Sequence, residues 1–451
     1  EDTMFRIASI TKTFTAIAVM QLWEEGKLDL DTPVNDYLRS LHLIPARPGL
    51  AQPTVKHLLT HTAGLGELAH VSGVFLPDFG ESVEAGAPLP TLHEFYDGGP
   101  RVHAEPGLRF VYGNHSPTTL GQLVEDVSGM TLDRYFTEFV FEPLGMTESD
   151  LDRTHPVKSR LATGYEIGSR GVRHVAEHDM VTTGAASIYS TPRDIARYLT
   201  ALVNGGSNAF GTVLRPETLQ TMFAPHYQPD PRIPGMGLGF FRTRIGDHIA
   251  VGHQGSHPGF HSQVLAVPDE SCAVMAFTNG ASQADLWLPS EVAHLLSLIL
   301  GEPQPGRRAP IPHRPDIWDD LVGWYKLSAR LSDIRLRGMM GAGAEVFVRH
   351  GMPAIRFLTP IPELARGFTL HPDDVDDPYV FRIDLSDSGL DTMRVVFGQD
   401  TGGRTTRLHV DLMPLTLHKR PGGTNPRRWA IGTVAAAAAA MAFGLSRRGQ
   451  F

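Results

Sequence analysis

The chain has 451 residues, of which 41% are hydrophobic, so it is long enough for two or more domains with a sizeable core. Its formal net charge of −9 at pH 7 excludes a nucleic-acid-binding protein that works by neutralising phosphates. The one cysteine, Cys272, excludes a disulfide within the chain, which fits a reducing cytosol and equally an exported bacterial protein without disulfides.

The first predicted element is a helix over residues 9–25. It is apolar nearly all round from Phe14 to Trp23, as expected of a helix buried on every side. Gly26 supplies a suitable C-terminal stop. The pattern therefore predicts that this helix lies in the core of the first domain.

A second helix is predicted to begin at Ser116, because a serine N-cap is followed there by Pro117, which is favoured in the first turn. Gly129 is predicted to end it. Its apolar positions share one face: Leu120, Val124 and Val127.

From about residue 236 the hydrophobic pattern changes from helical to strand-like. Four short segments rich in β-branched and aromatic residues are separated by turn signals, which predicts antiparallel strands. These segments read GLGFFRTRI, HIAVGHQG, FHSQVLAVP and SCAVMAFTN. Helical spacing returns over residues 283–300. A helical middle, a small sheet and a final helix together predict a mixed α/β (α+β) architecture for a first domain over residues 1–301.

A proline-rich stretch at residues 302–315 predicts a linker, and the strand-like segments after it predict a small antiparallel β domain over residues 316–420. These segments read AEVFVRHG, AIRFL, YVFRIDL, MRVVFG and RLHVDL. Alternation in the last one predicts two different faces. The apolar face holds Leu408, Val410 and Leu412, and the polar face holds Arg407, His409 and Asp411. This domain either covers an active site or contacts a partner, and its sequence does not decide between them.

The C-terminal tail is a third kind of sequence. Residues 429–445 carry no charge, and paired arginines flank them. A helix of this length spans roughly 25 Å, the lower limit for crossing a bilayer. We therefore expect a transmembrane tail over residues 427–448 and a location in the cell envelope rather than the cytoplasm. An alanine-rich tail without a membrane role is the alternative, and the arginines at both ends leave the orientation open.

Ser9 and Lys12 are candidate catalytic residues, because positions three apart on a helix share a face. An ammonium drawn into an apolar environment has a lowered pKa, so a neutral amine becomes available as general base for the serine hydroxyl. The N-terminal end of a helix also favours developing negative charge. Alone, this spacing occurs often by chance, and a helix start with a snorkelling lysine is then the favoured explanation.

Two further motifs add to this pair. The segment FVYGNHS places Tyr112 and Asn114 just before the second predicted helix, where a phenol could relay a proton and an amide could hold the lysine or a carbonyl. The segment GHQGSHPGF places His253 and Gly255 at the end of a strand. A glycine there lets the backbone approach a substrate closely, and the next N–H can point at an oxyanion.

In this order and context the motifs resemble those of the serine β-lactamase and penicillin-binding-protein superfamily, most nearly its branch of class C β-lactamases, related esterases and D-amino-acid peptidases. The resemblance covers roughly residues 4–300. It is supported by the stretches VKHLLTHTAGL, EPGLRFVYGN, YSTPRDIARYL and GLGFF. It implies an antiparallel sheet flanked by helices, with an additional helical subdomain.

The resemblance also implies a role for each motif residue. Ser9 would be the acylated nucleophile, Lys12 its activating lysine, and Tyr112 the partner in the proton relay. Which of Lys12 and Tyr112 is the principal base stays open. The substrate-binding and oxyanion residues would be Asn114, His253, Gly255 and Ser256, with the backbone N–H groups of Ser9 and Ser256 holding the oxyanion.

The chain departs from the family pattern in two places. His253 stands where many members carry the lysine of Lys-Thr-Gly, and histidine titrates near pH 6.5, so a penicillin carboxylate would lack a permanent cation. We therefore expect activity to change near the titration of His253, with weak or no β-lactamase activity. Second, a helix and two strands normally precede the serine helix. Glu1 instead reads as mid-protein sequence, so we expect a fragment or a misassigned start, with SCAVMAFTN left as an apolar edge.

Metal sites are less convincing interpretations. His57 and His61 have the spacing of zinc ligands, but Leu58 stands where the metalloprotease motif requires glutamate. The acidic segment HPDDVDD lacks the spacing of a calcium loop. We therefore predict a serine hydrolase that uses no metal or organic cofactor, with a small-molecule or peptide substrate and no nucleic-acid partner. The alternatives are a binding module that retains the pocket, and a true β-lactamase. The acyl group, the leaving group and the oligomeric state stay open.

Overall fold

The computed structural model describes residues 1–168, 171–280, 282, 284–302, 310–330, 333–359, 361–385 and 392–420. They divide into two compact units. The first contains Glu1–Leu65, Gly80–Tyr227 and Met236–Glu302, and the second contains Gly66–Phe79, Gln228–Gly235 and the described residues after 302. The tail predicted at residues 427–448 lies outside the described residues and stays a prediction, and half of the predicted linker, residues 303–309, lies outside them too. Within the described part of the chain, no helix is long and apolar enough to cross a membrane.

The first unit combines short and long helices with one main sheet. Its helices are α1 (Thr11–Glu24), α2 (Val55–Leu59), α3 (Leu92–Phe95), α4 (His115–Ser128), α5 (Leu132–Phe136), α6 (His155–Arg160), α7 (Thr183–Ala186), α8 (Pro192–Val203), α9 (Pro216–Phe223) and α10 (Ala284–Ile299). Its strands are β1 (Phe5–Arg6), β2 (Ile44–Pro45), β3 (Ser82–Glu84), β4 (Arg101–Val102), β5 (Tyr165–Gly168), β6 (Gly171–His174), β7 (His178–Met180), β8 (Tyr189–Ser190), β9 (Phe241–Ile245), β10 (His248–His257), β11 (Phe260–Val267) and β12 (Cys272–Thr278).

The four strands predicted after residue 236 form one antiparallel sheet in the order β12-β11-β10-β9, which confirms the predicted mixed architecture. Strand β12 forms one edge, and its residues are half-buried. Helix α10 packs on the sheet, because its Val292 and Leu296 join a cluster with Leu265 and Val267. The final helix thus begins and ends within a residue of its predicted bounds.

The predicted serine helix is buried on nearly every side. Phe14 is fully buried in α1 and stacks on Tyr198 of α8 with ring centroids 4.2 Å apart. The helix begins at Thr11 instead of residue 9, because Ala8–Ile10 form a separate 3-10 turn. Ser9 therefore lies on a tight turn that leads into the helix.

The predicted N-cap of the second helix, Ser116, is wrong by two residues. Asn114 precedes α4 as its N-cap residue, and Ser116 lies within the first turn. The Asn114 side chain forms no capping hydrogen bond, because its amide oxygen and nitrogen are engaged by other side chains. The predicted end is confirmed, since Gly129 follows the helix in the left-handed conformation with φ of 73°.

The second unit is built on a nearly closed antiparallel sheet of nine strands. Its strands are β13 (Gly323–Leu327), β14 (Gly343–Arg349), β15 (Met352–Phe357), β16 (Phe368–Thr369), β17 (His371–Pro372), β18 (Val380–Asp384), β19 (Thr392–Gln399), β20 (Thr405–Val410) and β21 (Leu415–Lys419). Its helices are α11 (Trp318–Leu321), α12 (Ile334–Met340) and α13 (Pro362–Ala365). The strand order is β16-β15-β14-β13-β21-β20-β19-β18-β17. The small β domain predicted from alternation is therefore present.

The two faces predicted for the segment RLHVDL are partly wrong. Leu408 and Val410 are buried as expected, but Leu412 is 49% exposed because β20 ends at Val410. His409, which the alternation assigns to the polar face, is also buried. Its Nδ1 lies 2.9 Å from Thr416 Oγ1, and its Nε2 lies 3.8 Å from a carboxylate oxygen of Asp230, in the segment Gln228–Gly235 of the same unit.

Candidate active site

Ser9 lies on a strained turn between the sheet and helix α1. Ala8, the residue before it, is fully buried and has φ of 48°, in the left-handed region where a residue with a Cβ pays roughly 1–2 kcal/mol. The turn is held by backbone hydrogen bonds from Ile7 N to Ile188 O at 3.1 Å and from Ile10 N to Ile7 O at 3.2 Å. Ser9 itself stays half-buried, so its hydroxyl is presented by a turn that the surrounding structure fixes.

Lys12 is buried one turn further along, with 3% of its surface exposed. Its Nζ lies 2.8 Å from Ser9 Oγ, 2.8 Å from Asn114 Oδ1 and 3.0 Å from the carbonyl oxygen of Ala185. An ammonium has three N–H donors, and these three acceptors match them in number. A neutral amine at the same place would instead accept the Ser9 hydroxyl proton. The close contact required of a base and a nucleophile is thus present.

Asn114 joins this pair to a buried carboxylate. Its Oδ1 accepts a hydrogen bond from Lys12, and its Nδ2 donates to Oε2 of Glu81, a side chain only 1% exposed. The sequence left open whether Asn114 holds the lysine or a carbonyl, and the structure places its Oδ1 on Lys12. Glu81 was not anticipated from the sequence.

Aromatic and imidazole rings form a wall beside Lys12. Lys12 Nζ lies 5.2 Å from the centroid of the half-buried Tyr112 ring, within the range of a cation–π contact. Around Tyr112, ring centroids lie at 4.9 Å for His61, 5.8 Å for Phe241 and 5.9 Å for His253. The structure therefore brings Tyr112 close to Lys12, and His253 close to Tyr112.

The expectation that His253 titrates near pH 6.5 is wrong. The side chain is 2% exposed, and burial, with the nearby charge of Lys12, lowers the pKa of His253 to about 3. Its Nδ1 lies 2.6 Å from the carbonyl oxygen of Gln254. A carbonyl can only accept, so Nδ1 carries the hydrogen and Nε2 carries a lone pair. His253 is thus a neutral ring where many family members have a cation.

Burial, and then the nearby charge of Lys12, lower the pKa of His61 well below its ordinary value. His61 has φ of 54° and is 4% exposed. Sequence reasoning weighed His61 only as a zinc ligand. The stretch VKHLLTHTAGL, one of those that resemble the family, contains His61 and is the feature of the sequence that points to it.

The neutral state of His253 predicts the pH dependence of the protein. Replacing His253 with glutamine should leave the pH profile of Ser9 labelling unchanged between about pH 5.5 and 7.5. The pKa of about 3 in the folded state lies below the value near 6.5 of the unfolded chain, so the unfolded state binds more protons between them. The contribution of neutral His253 to the free energy of unfolding is therefore fully present above about pH 6.5, and it is lost as the pH falls toward 3.

The melting temperature of His253→Gln should accordingly fall less on acidification than that of the wild type. An inflection near pH 6.5 in the wild-type labelling profile that His253→Gln removes would contradict this account.

Gly255 brings strand β10 against the nucleophile turn. A Cβ added to Gly255 would lie 2.2 Å from the carbonyl oxygen of Ile7 and 2.2 Å from Ser262 Oγ. Ser262 Oγ itself donates to the Ile7 carbonyl at 3.0 Å. The glycine is thus required by a backbone that passes close to the turn. Ser256 follows it on β10 and is exposed, and its N–H as an oxyanion donor stays a prediction.

His57 and Asp373, both considered as metal ligands from the sequence, have other partners. His57 lies in α2, where its Nδ1 accepts from Thr54 N at 3.1 Å in a capping box. In the segment HPDDVDD, Asp373 pairs with Arg394 at 2.8 Å and Arg382 at 3.4 Å. Within the described ranges, no group of three or more His, Cys, Asp or Glu side chains is arranged to hold a metal ion.

Comparison with known proteins places this geometry in context. The family model described as Beta-lactamase matches residues 1–290. A relative named “Putative penicillin-binding protein PbpX”, from Bacillus subtilis (strain 168), is 26% identical over 289 residues, which cover 63% of this chain and 64% of PbpX. The chain thus spans less than two thirds of the length of this curated relative.

Two solved structures are similar to the chain. The octameric penicillin-binding protein homologue from Pyrococcus abyssi has a TM-score of 0.55 and 26% identity, covering 93% of this chain and 89% of that one. The D-amino acid amidase from Ochrobactrum anthropi SV3, complexed with L-phenylalanine amide, has a TM-score of 0.53 and 26% identity, covering 66% of this chain and 83% of that one. The resemblance inferred from the motifs is therefore confirmed.

Proposed function

The chain belongs to the Beta-lactamase family, and on that premise we propose that it is a serine hydrolase that cleaves esters or amides through an acyl-enzyme on Ser9. The observation that carries the proposal is the 2.8 Å contact between Ser9 Oγ and Nζ of Lys12, a residue that is only 3% exposed. A base buried beside a hydroxyl is the arrangement that makes a serine nucleophilic.

In the proposed acylation step, Ser9 Oγ attacks the substrate carbonyl carbon while its proton passes to the neutral Lys12 amine, directly or with Tyr112 in the relay. The carbonyl oxygen becomes an oxyanion held by the backbone N–H groups of Ser9 and Ser256. Collapse of the tetrahedral intermediate breaks the bond to the leaving group, which takes the proton. Water then attacks the acyl-enzyme through the same base and releases the acid.

We propose an ester, or an amide of a D-amino acid, as the substrate class, with weak or no β-lactamase activity. The neutral His253 ring supports this preference, because it offers no charge for the carboxylate of a penicillin. The similarity to a D-amino acid amidase supports it as well. A binding module that has lost catalysis is the rival proposal, and the intact contacts among Ser9, Lys12 and Asn114 argue against it.

A fluorophosphonate probe followed by mass spectrometry tests the proposal, because the probe reacts with activated serines. The label is expected on Ser9, to be absent from Ser9→Ala, and to be retained in Ser159→Ala, a matched exposed serine on helix α6. Turnover of p-nitrophenyl esters and D-aminoacyl amides should exceed that of nitrocefin. A folded protein without label on Ser9 would favour the binding module, and fast nitrocefin hydrolysis would favour a true β-lactamase.

A further inference from the structure

Glu81 is a buried carboxylate behind the Ser9–Lys12 pair. Its side chain is 1% exposed, and its Oε2 accepts a hydrogen bond from Asn114 Nδ2. The oxygen of the same amide, Asn114 Oδ1, accepts from Lys12 Nζ at 2.8 Å. A primary amide has a donor end and an acceptor end. A carboxylate that takes the donor end therefore determines that the acceptor end faces the lysine.

The groups around Glu81 form a second layer of buried polar side chains. His115, which follows Asn114 on α4, places its Nε2 3.9 Å from Glu81 Oε1. The hydroxyl of Tyr96 lies 3.0 Å from His115 Nδ1. Burial and then the charge of Glu81 raise the pKa of Tyr96 well above its ordinary value, so its hydroxyl keeps the proton it can donate to His115. The His115 ring thus lies next to the carboxylate, at a distance longer than a hydrogen bond, and Tyr96 contacts that ring.

The backbone at Glu81 is also anchored. Val181 N donates to the Glu81 carbonyl oxygen at 2.8 Å, and the following residues form strand β3, which pairs with β7. Glu81 is therefore fixed through its main chain as well as through the hydrogen bond of its carboxylate.

We propose that Glu81 is a positioning residue, whose carboxylate holds the Asn114 amide so that Oδ1 keeps the Lys12 amine on Ser9. The inference rests on the proposed function. Without the carboxylate, the amide is free to rotate and to present its NH₂ group to the N–H donors of Lys12. Two donors repel each other, and the amine would then move away from the serine. Glu81 acts through Asn114, and its burial keeps it from direct contact with substrate.

The second-order rate constant of Ser9 phosphonylation, measured in the full chain, tests this role. Glu81→Ala should lower the rate constant about 10–100-fold, because small displacements of a catalytic group are costly. Glu81→Gln should stay within about threefold of the wild type, since the glutamine oxygen accepts the same Asn114 bond. In an Asn114→Ala background, Glu81→Ala should have no further effect, because the group it positions is gone.

Asp126 offers a matched control. It is a buried carboxylate further along α4, 7% exposed, that accepts hydrogen bonds from the backbone N–H groups of Arg39 and Ser40. Asp126→Ala should lower thermal stability without slowing Ser9 labelling. A merely structural role for Glu81 would instead make Glu81→Ala resemble Asp126→Ala.

Three outcomes would overturn the inference: a Glu81→Ala protein that labels at the wild-type rate, a Glu81→Gln protein as slow as Glu81→Ala, or effects of Glu81→Ala and Asn114→Ala that multiply. Absence of label on wild-type Ser9 would instead refute the proposed function. In that case a crystal structure of Glu81→Ala decides the positioning role, which predicts that the Asn114 oxygen no longer faces Lys12 and is refuted if the amide is unmoved.

Discussion

Replacing Lys12 with alanine is expected to slow the acylation of Ser9 about 10²–10⁴-fold, the range typical of losing a positioned general base. The reason is local, because Lys12 Nζ is in hydrogen-bond contact with the Ser9 hydroxyl at 2.8 Å. The second-order rate constant of fluorophosphonate labelling measures this step without depending on the identity of the natural substrate.

Two controls separate loss of the base from loss of structure. Lys12→Ala also leaves the oxygens of Asn114 and Ala185 without the donor they share, so some loss of stability is expected and should be measured by thermal unfolding. Lys12→Arg supplies donors and charge, but a guanidinium does not release its proton near neutral pH, so it should label as slowly as the alanine variant. Lys56→Ala removes a lysine paired with Asp31 near the surface and should label normally. Labelling of Lys12→Ala within tenfold of the wild type would contradict the role of Lys12.

Replacing Gly255 with valine is the second change expected to have a large effect. Its Cβ would lie 2.2 Å from the Ile7 carbonyl oxygen and from Ser262 Oγ, so β10 or the nucleophile turn must shift. Overpacking of this kind is expected to lower the free energy of unfolding by about 1–3 kcal/mol. The same shift displaces Ser9 relative to its partners, so labelling should fall about 100-fold.

Gly168 provides the matched control, because it is also a strand glycine and a Cβ there would meet no atom within 4 Å. Gly168→Val should change neither the urea-unfolding midpoint nor the labelling rate appreciably. Should Gly255→Val retain the wild-type labelling rate, the close approach of β10 to the turn would not be needed for the chemistry.

Local patterns in the sequence predicted much of the fold. The strands β9–β12 and the buried helix α1 were recognised because side-chain periodicity reports which face is covered. The left-handed glycine after α4 was recognised because few other residues adopt that conformation. The start of α4 was misplaced because Asn114 uses its amide on Lys12 and Glu81, which are far away in the chain. Capping rules consider only neighbouring residues, so they do not include hydrogen bonds to side chains that are distant in the sequence.

The sequence by itself determined the residue types and local spacing of the chemistry: a serine three residues before a lysine, a tyrosine two residues before an asparagine, and a histidine two residues before a glycine. Only the tertiary structure decided what surrounds them. It brought Glu81 and the Ala185 carbonyl to the site, over separations in the chain that periodicity does not reach. It also buried His253 and so removed the titration expected of a histidine, because a pKa depends on desolvation and neighbouring charge, which arise only when distant segments pack together.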